Sequence, residues 1–195
     1  MIEKTLILPN SIQIKSHVIS SLDIYWRKNK TLIELLPVKT LKKRLKISIP
    51  LRLVPIKLPI WASELGVNGE ILVPKELTEN MNILKDNSWV KVDWWLAAFL
   101  LMECWHERSW EMLFGPIHSY SSKLKGWDQR AWEHAWVNRI GLFLRRWTAV
   151  KYDLDPVLML GNLPKKNLEM THDVDAVEKT ISIRLKQASF NIFNF

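Results

Sequence analysis

Two carboxylates one residue apart, Asp173 and Asp175, are the side chains of this 195-residue chain best placed to do chemistry. They close the stretch Asn167-Leu168-Glu169-Met170-Thr171-His172-Asp173-Val174-Asp175, which reads as a short buried strand opening into a helix over Ala176 to about Phe190. On an extended backbone, side chains two apart point to the same side, so both acids converge if the strand persists through Asp175. Strand ends that feed helices are where open or barrel-shaped α/β sheets place their chemistry. A convergent acid pair serves metal binding, acid–base work, or a nucleophile with its helper acid. A non-catalytic use is also open, because the helix dipole favours acids at a helix N-terminus.

The elements needed to hold such a pair are only partly present. Val177, Ile181, Leu185, Ala188 and Ile192 form an apolar stripe, with Lys179, Arg184 and Lys186 towards solvent, so the strand is followed by an amphipathic helix. A strand of this kind needs parallel neighbours on both sides, and no further strand–helix repetition stands in the sequence. Residues 161–195 therefore read as the first strand–helix unit of an incomplete α/β barrel, and residues 1–160 as an accessory domain. The class expected is α+β, with a β-rich part over 1–90 and Trp-rich helices over 93–147.

In the β-rich part, Thr5–Leu8 and Leu45–Ile49 read as strands, and His17–Trp26 mixes β-branched and aromatic residues. Leu51–Ile60 carries Pro55 and Pro59, which suits an edge strand or connector. Asn68-Gly69 is a hairpin-turn dipeptide ahead of a strand over Glu70–Val73. Further on, Asp93 is a plausible N-cap for a helix from Trp94 to about Leu113, stopped by Gly115-Pro116. Leu101, Trp105 and Met112 share one face of it; Glu103, His106, Glu107 and Arg108 fall on the wetter side. Asp128 caps a second helix to about Trp147, with the stripe Trp132, Trp136, Ile140, Phe143 and Trp147 towards the core and Arg130, Glu133, Arg145 and Arg146 opposite. Ala149–Lys166 reads as a linker, with Val157–Leu160 able to pack on the first unit.

Bulk composition excludes several classes. An apolar fraction of 48% with 11 tryptophans can fill a sizeable core, which argues against global disorder. Cys104 is the single cysteine, so a disulfide framework is excluded and a reducing compartment is the default. Met1–Leu8 lacks the basic start and long apolar run of a signal peptide. The longest apolar run, Trp94–Met102, is 9 residues, against roughly 20 for a spanning helix. A soluble, cytoplasmic protein without a transmembrane segment is expected. The net charge of +8 is uneven: residues 1–60 carry 12 Lys and Arg against Glu3, Asp23 and Glu34. These Lys alternate with apolar residues and lack aromatic stacking groups, so a solvated strand surface is favoured over nucleic-acid binding.

Other constellations are weaker. The five histidines form no His-x-x-x-His pair. His106-Glu107 has Trp110 where the second histidine of a zincin motif would fall.

Thr171-His172-Asp173-Val174-Asp175 resembles the first motif of the polysaccharide deacetylase family, carbohydrate esterases of the chitin-oligosaccharide deacetylase type. That motif is usually Thr-Phe-Asp-Asp-Gly, and one branch spaces its acids as Asp-x-Asp. The resemblance implies Asp173 as general base and Asp175 as ligand of a divalent metal, zinc first, with a polysaccharide or glycan as substrate. His172 replaces the usual apolar residue, with no role implied. The Trp-rich region is similar to extensions that precede some bacterial members. The family's His-x-x-x-His metal motif is absent from these 195 residues, so the expectation is an N-terminal portion of a longer enzyme, inactive alone and binding metal weakly or not at all. Two alternatives stand beside it. One is a haloacid-dehalogenase-like phosphatase, whose Asp-x-Asp usually continues as Gly-Thr where Ala176-Val177 stand. The other is a carbohydrate- or protein-binding module, favoured if Trp105, Trp110 or Trp127 is exposed in one cleft.

Overall fold

Pro9-Asn10 starts the first departure from the β-rich expectation. The computed structural model describes residues 2–38, 44–78, 81, 85, 87–117, 124 and 126–164. Asn10 Oδ1 accepts from the Gln13 amide at 2.9 Å while Gln13 Oε1 accepts from the Asn10 amide at 3.1 Å. This capping box satisfies two otherwise orphaned donors and starts helix α1, Ser11–Ser21. Ile14 and Val18, one turn apart, are buried on it, and Trp26 Nε1 returns to the Ile19 carbonyl at 2.9 Å. The β-branched content of His17–Trp26 suggested extended chain; the cap and the helical spacing of Ile14, Val18 and Leu22 prevailed.

The strands expected around α1 are present as two small antiparallel pairs, and the class is α+β. Strand β1, Ile2–Ile7, pairs with β2, Arg44–Ile49, from Ile2↔Ile49 to Ile7↔Arg44. The two strands are separated in sequence by α1 and by a short helix α2, Lys30–Glu34. Strand β3, Leu53–Lys57, pairs with β4, Glu70–Pro74. Each strand of a two-stranded sheet is an edge, which is why Pro55 is accommodated. Asn68 and Gly69 have φ of 53° and 79°, and Val67 and Glu70 exchange amide–carbonyl bonds of 2.8 and 3.0 Å across them. The dipeptide makes the two-residue turn its composition called for.

Helix α3, Trp94–Met102, is the centre of the core. Asp93 caps it, accepting from the Leu96 amide at 3.0 Å, and every residue from Trp94 to Leu100 is buried. A helix apolar on all sides is an interior helix; each large side chain so buried stabilises by about 2 kcal/mol. It packs between α1 and α6, Trp136–Tyr152. Phe143 of α6 meets Trp94 at 4.8 Å and stacks on Trp61 at 5.9 Å between ring centroids.

The two long helices expected from the sequence are each divided. Cys104, at φ 51°, separates α3 from α4, Trp105–Phe114, and Gly115 at φ 91° ends α4 at the expected place. Extended His134 separates α5, Arg130–Glu133, from α6. Asp128 does not cap a long helix; its carboxylate accepts from the Leu53 amide at 3.1 Å and from Arg130. Arg145, expected on the wet side of that helix, is buried at 4% exposure. Its guanidinium donates to the Tyr25, Pro156 and Gly161 carbonyls. Those contacts explain why 149–160 is not a linker: α6 continues to Tyr152, and α7, Pro156–Leu160, docks Met159 and Leu160 into the core.

The chain divides after Pro164, and the described residues up to there form one compact unit. The strand expected over Asn167–Asp175 with its acids Asp173 and Asp175, the helix expected from Ala176, and with them the expected first unit of an α/β barrel, lie outside the described residues.

Candidate functional site

Of the histidines, His17, His106 and His134 are described. His17 Nε2 lies 2.8 Å from Glu103 Oε1. His106, expected on a wet face, is 1% exposed and faces buried Glu76 at 3.6 Å. His134 sets its ring edge-on to Trp136 at 5.2 Å. Among the described residues no three His, Cys, Asp or Glu are grouped to hold a metal ion.

The tryptophans distribute differently from either expectation. Trp127 is buried, and Trp105 and Trp110 are half-buried. Trp132, placed in the core by its spacing, is 45% exposed. The reason is the break at His134, which rotates α5 out of phase with α6. Trp132 stacks on Trp127 at 5.7 Å and 11°, and Trp127 meets Trp110 edge-on at 5.9 Å. The result is an aromatic plate with one solvent-facing ring, not a cleft lined by the three tryptophans.

On α5, beside that plate, lies a cleft of 240 Å³ lined by Val67, Asn68, Glu70, Leu72, Arg130, Glu133, His134 and Trp136. Two local structures position it. The Asn68-Gly69 turn delivers Asn68 and Glu70 at the head of β4. The Asp128–Arg130 pair holds α5: Arg130 Nε donates to Asp128 Oδ1 at 2.9 Å, and Nη2 donates to Asp128 Oδ2 at 2.7 Å and to the Leu53 carbonyl at 3.0 Å. This two-pronged pairing holds the Asp128 carboxyl below its ordinary range, burial opposing and the Leu53 amide assisting. Trp136 Nε1 donates to the Arg130 carbonyl at 2.6 Å, which fixes the indole against the base of α5. Glu70, Glu133 and His134 make no side-chain hydrogen bond among the described residues. The cleft is floored by buried Leu72 and Trp136, with Asn68, Glu70, Glu133 and His134 at its rim and both carboxylates within the field of Arg130.

No family model matches the chain, and neither does any curated protein or solved structure. The site therefore has to be read from its own residues. Its groups were not singled out by sequence, since the Asn68–Glu70 turn and the Arg130–His134 segment lie some sixty residues apart and nothing in one sequence joins them. The i, i+3 pair Arg130/Glu133 was the available signal, and it read as a solvated helix face.

A second cleft, of 370 Å³, lies between α2 and α7 and is walled by Leu32, Leu154, Leu158 and Met159, with Lys28, Asn29 and Asp155 at its edge.

Proposed function

We propose that this chain contributes the accessory unit and the first acidic motif of a polysaccharide deacetylase-like, metal-dependent carbohydrate de-N-acetylase acting in the cytoplasm. What supports the reading is the motif Thr171-His172-Asp173-Val174-Asp175, following in sequence a Trp-rich folded unit that ends at Pro164. Asp173 would serve as general base towards the attacking water, and Asp175 as one ligand of a divalent metal, zinc first. The remaining ligands would come from a His-x-x-x-His segment that these 195 residues do not hold.

The test is acetate release from N-acetylglucosamine oligosaccharides by the natural polypeptide that carries this sequence. Release is expected to need zinc and to fall by about 100-fold or more in Asp173→Asn, the scale of a lost general base. Asp175→Asn should weaken zinc binding in the same polypeptide. Unchanged release in both variants would rule the reading out.

A second reading, a carbohydrate-binding module without chemistry of its own, is favoured by one observation, the solvent-facing Trp132, which is 45% exposed.

A further inference from the structure

Independently of the glycan reading, we infer that the groove between α2 and α7 is where a second copy of this chain docks, around a two-fold axis. The groove has a volume of 370 Å³ and an apolar wall of Leu32, Leu154, Leu158 and Met159. Large apolar side chains stand clear of the surface beside it: Leu158 is 72% exposed, Leu35 53%, Leu154 51% and Val157 46%. Lys151 Nζ donates to the Leu35 carbonyl at 3.2 Å, which brings Leu35 beside the segment that leads to Leu154. Single apolar residues on a surface need no account, but several together at a groove mark an interaction site.

The face is built rather than loose. Asp155 Oδ1 accepts from the Val157 and Leu158 amides at 2.8 Å each and so starts α7. Met159 and Leu160, buried on that helix, hold it to the core, and Arg145 donates to the Pro156 and Gly161 carbonyls at its two ends. The Lys28 amide donates to the Leu160 carbonyl at 3.3 Å, tying one side of the groove to the other. A helix fixed in this way has little freedom left to lose on association, so the leucines it presents are preorganised.

Charge selects the partner. Two copies that each carry +8 repel one another, and they approach most easily where that excess is cancelled locally. Around this groove it is cancelled. Residues 23–35 hold three Lys and Arg against two acids and residues 150–158 hold one against two, four of each sign in all, and all of them are exposed. An anionic membrane or polymer finds no excess of positive charge here. A two-fold contact, in contrast, needs both signs on one patch, because the same surface meets itself. Lys28 stands on the α2 side of the groove and Asp155 on the α7 side, so each can face the other across the axis. The same symmetry lets Leu158, which lines the groove and is the most exposed apolar side chain in it, enter the groove of the second copy.

Sedimentation velocity of the 195-residue chain over roughly 1 to 300 µM, the range of weak to moderate association, tests this. A monomer–dimer equilibrium is expected. Leu158→Asp and Leu154→Asp should each weaken it by at least about 30-fold, the scale of one central anchor. Thermal melting of the dilute protein should be unchanged in both, since neither side chain is buried in the monomer. Ile60→Asp is the control: Ile60 is 93% exposed but is no part of the groove lining, and its replacement should leave the equilibrium as it is. A monomer at every concentration would overturn the assignment, and melting lowered by Leu158→Asp would then show the face to be covered within the chain. A dimer that both leucine variants leave intact, or that Ile60→Asp disrupts equally, would overturn it too.

Discussion

Glu76 and His106 face each other inside the first unit, Oε2 to Nε2, at 3.6 Å, with side chains 2% and 1% exposed. The other carboxylate oxygen accepts from the Ser48 amide at 2.6 Å. A single carboxylate thus joins β2, the 3₁₀ turn Lys75–Thr78 and α4. Burial by itself would raise the Glu76 carboxyl; the facing imidazole and the Ser48 amide outweigh it and hold the group below its ordinary value of 4.5. The separation exceeds hydrogen-bond length, and neither of the two facing atoms has another hydrogen-bond partner among the described residues.

The sign of the pH dependence follows. A carboxyl whose folded value is depressed stabilises the fold above its unfolded value and loses that stability as pH falls through the depressed one. The contribution of Glu76 is therefore full at neutral pH and declines below 4.5. Glu76→Gln is expected to cost about 1–3 kcal/mol at pH 7 and to flatten the decline in acid. Urea unfolding of both proteins at neutral pH and in acid measures this. Parallel pH curves for the two would show that Glu76 is not the group responsible.

Arg145 gives a second prediction. Three carbonyls, of Tyr25, Pro156 and Gly161, converge on its guanidinium, tying α6 to α7 and to the 3₁₀ turn Asp23–Tyr25. Arg145→Ala leaves all three without a donor and is expected to cost about 3 kcal/mol. Arg145→Lys should recover little of it, since one ammonium cannot span a site built for a planar fork. Hydrogen exchange locates the effect: the amides of α7 should lose protection first. Uniform loss across the unit would mean that Arg145 does not specifically anchor α7.

Local signals in the sequence were readable where one segment decides its own conformation. Asn68-Gly69, Asp93, Gly115-Pro116 and the alternation of Leu45–Ile49 each specify a turn, cap or strand within a few residues, and each stands where it was expected. Arg145 and His106 were misplaced for a common reason. Each is a charged or titratable residue on a helix, and a helical period alone assigns such residues to water. Their burial is made possible by Glu76 for His106 and, for Arg145, by carbonyls 11, 16 and 120 residues away in the chain, which no period reveals. Trp132 failed in the opposite sense: a stripe continued through a break at His134 that the sequence did not mark. The cleft shares this origin, being assembled from two remote segments, and Asp173 and Asp175 lie outside the described residues.

Gly66 carries the third prediction, through close approach rather than through unusual dihedral angles. A Cβ added there would lie 2.5 Å from the Glu70 amide nitrogen and 2.6 Å from its carbonyl oxygen. Those are backbone atoms that cannot swing aside. Gly66→Ala must pry the Val67–Glu70 turn open, at an expected cost of about 2–3 kcal/mol. Arg139 adds to it, because its Nη1 donates to the Leu65 and Gly66 carbonyls at 2.8 and 3.0 Å. Chemical denaturation checks this. A stability equal to wild type would mean that the turn is looser than its geometry.

Cys104 gives the last prediction and bears on the division of the central helix. Its φ of 51° and ψ of 42° lie in the left-handed region, which costs a residue with a Cβ about 1–2 kcal/mol. The side chain is exposed, so replacing it sacrifices little packing. Cys104→Gly removes the backbone strain but enlarges the freedom of the unfolded chain, and the net expected gain is about 0.5–1 kcal/mol. Cys104→Val should do the reverse, because a β-branched side chain is poorly tolerated there. Thermal melting of the two variants decides it, with a separation of a few degrees expected for a chain of this size. Were valine instead the more stable of the two, Cys104 would not be left-handed in solution. The helix would then run unbroken from Trp94 to Phe114, and His106 would be carried away from Glu76.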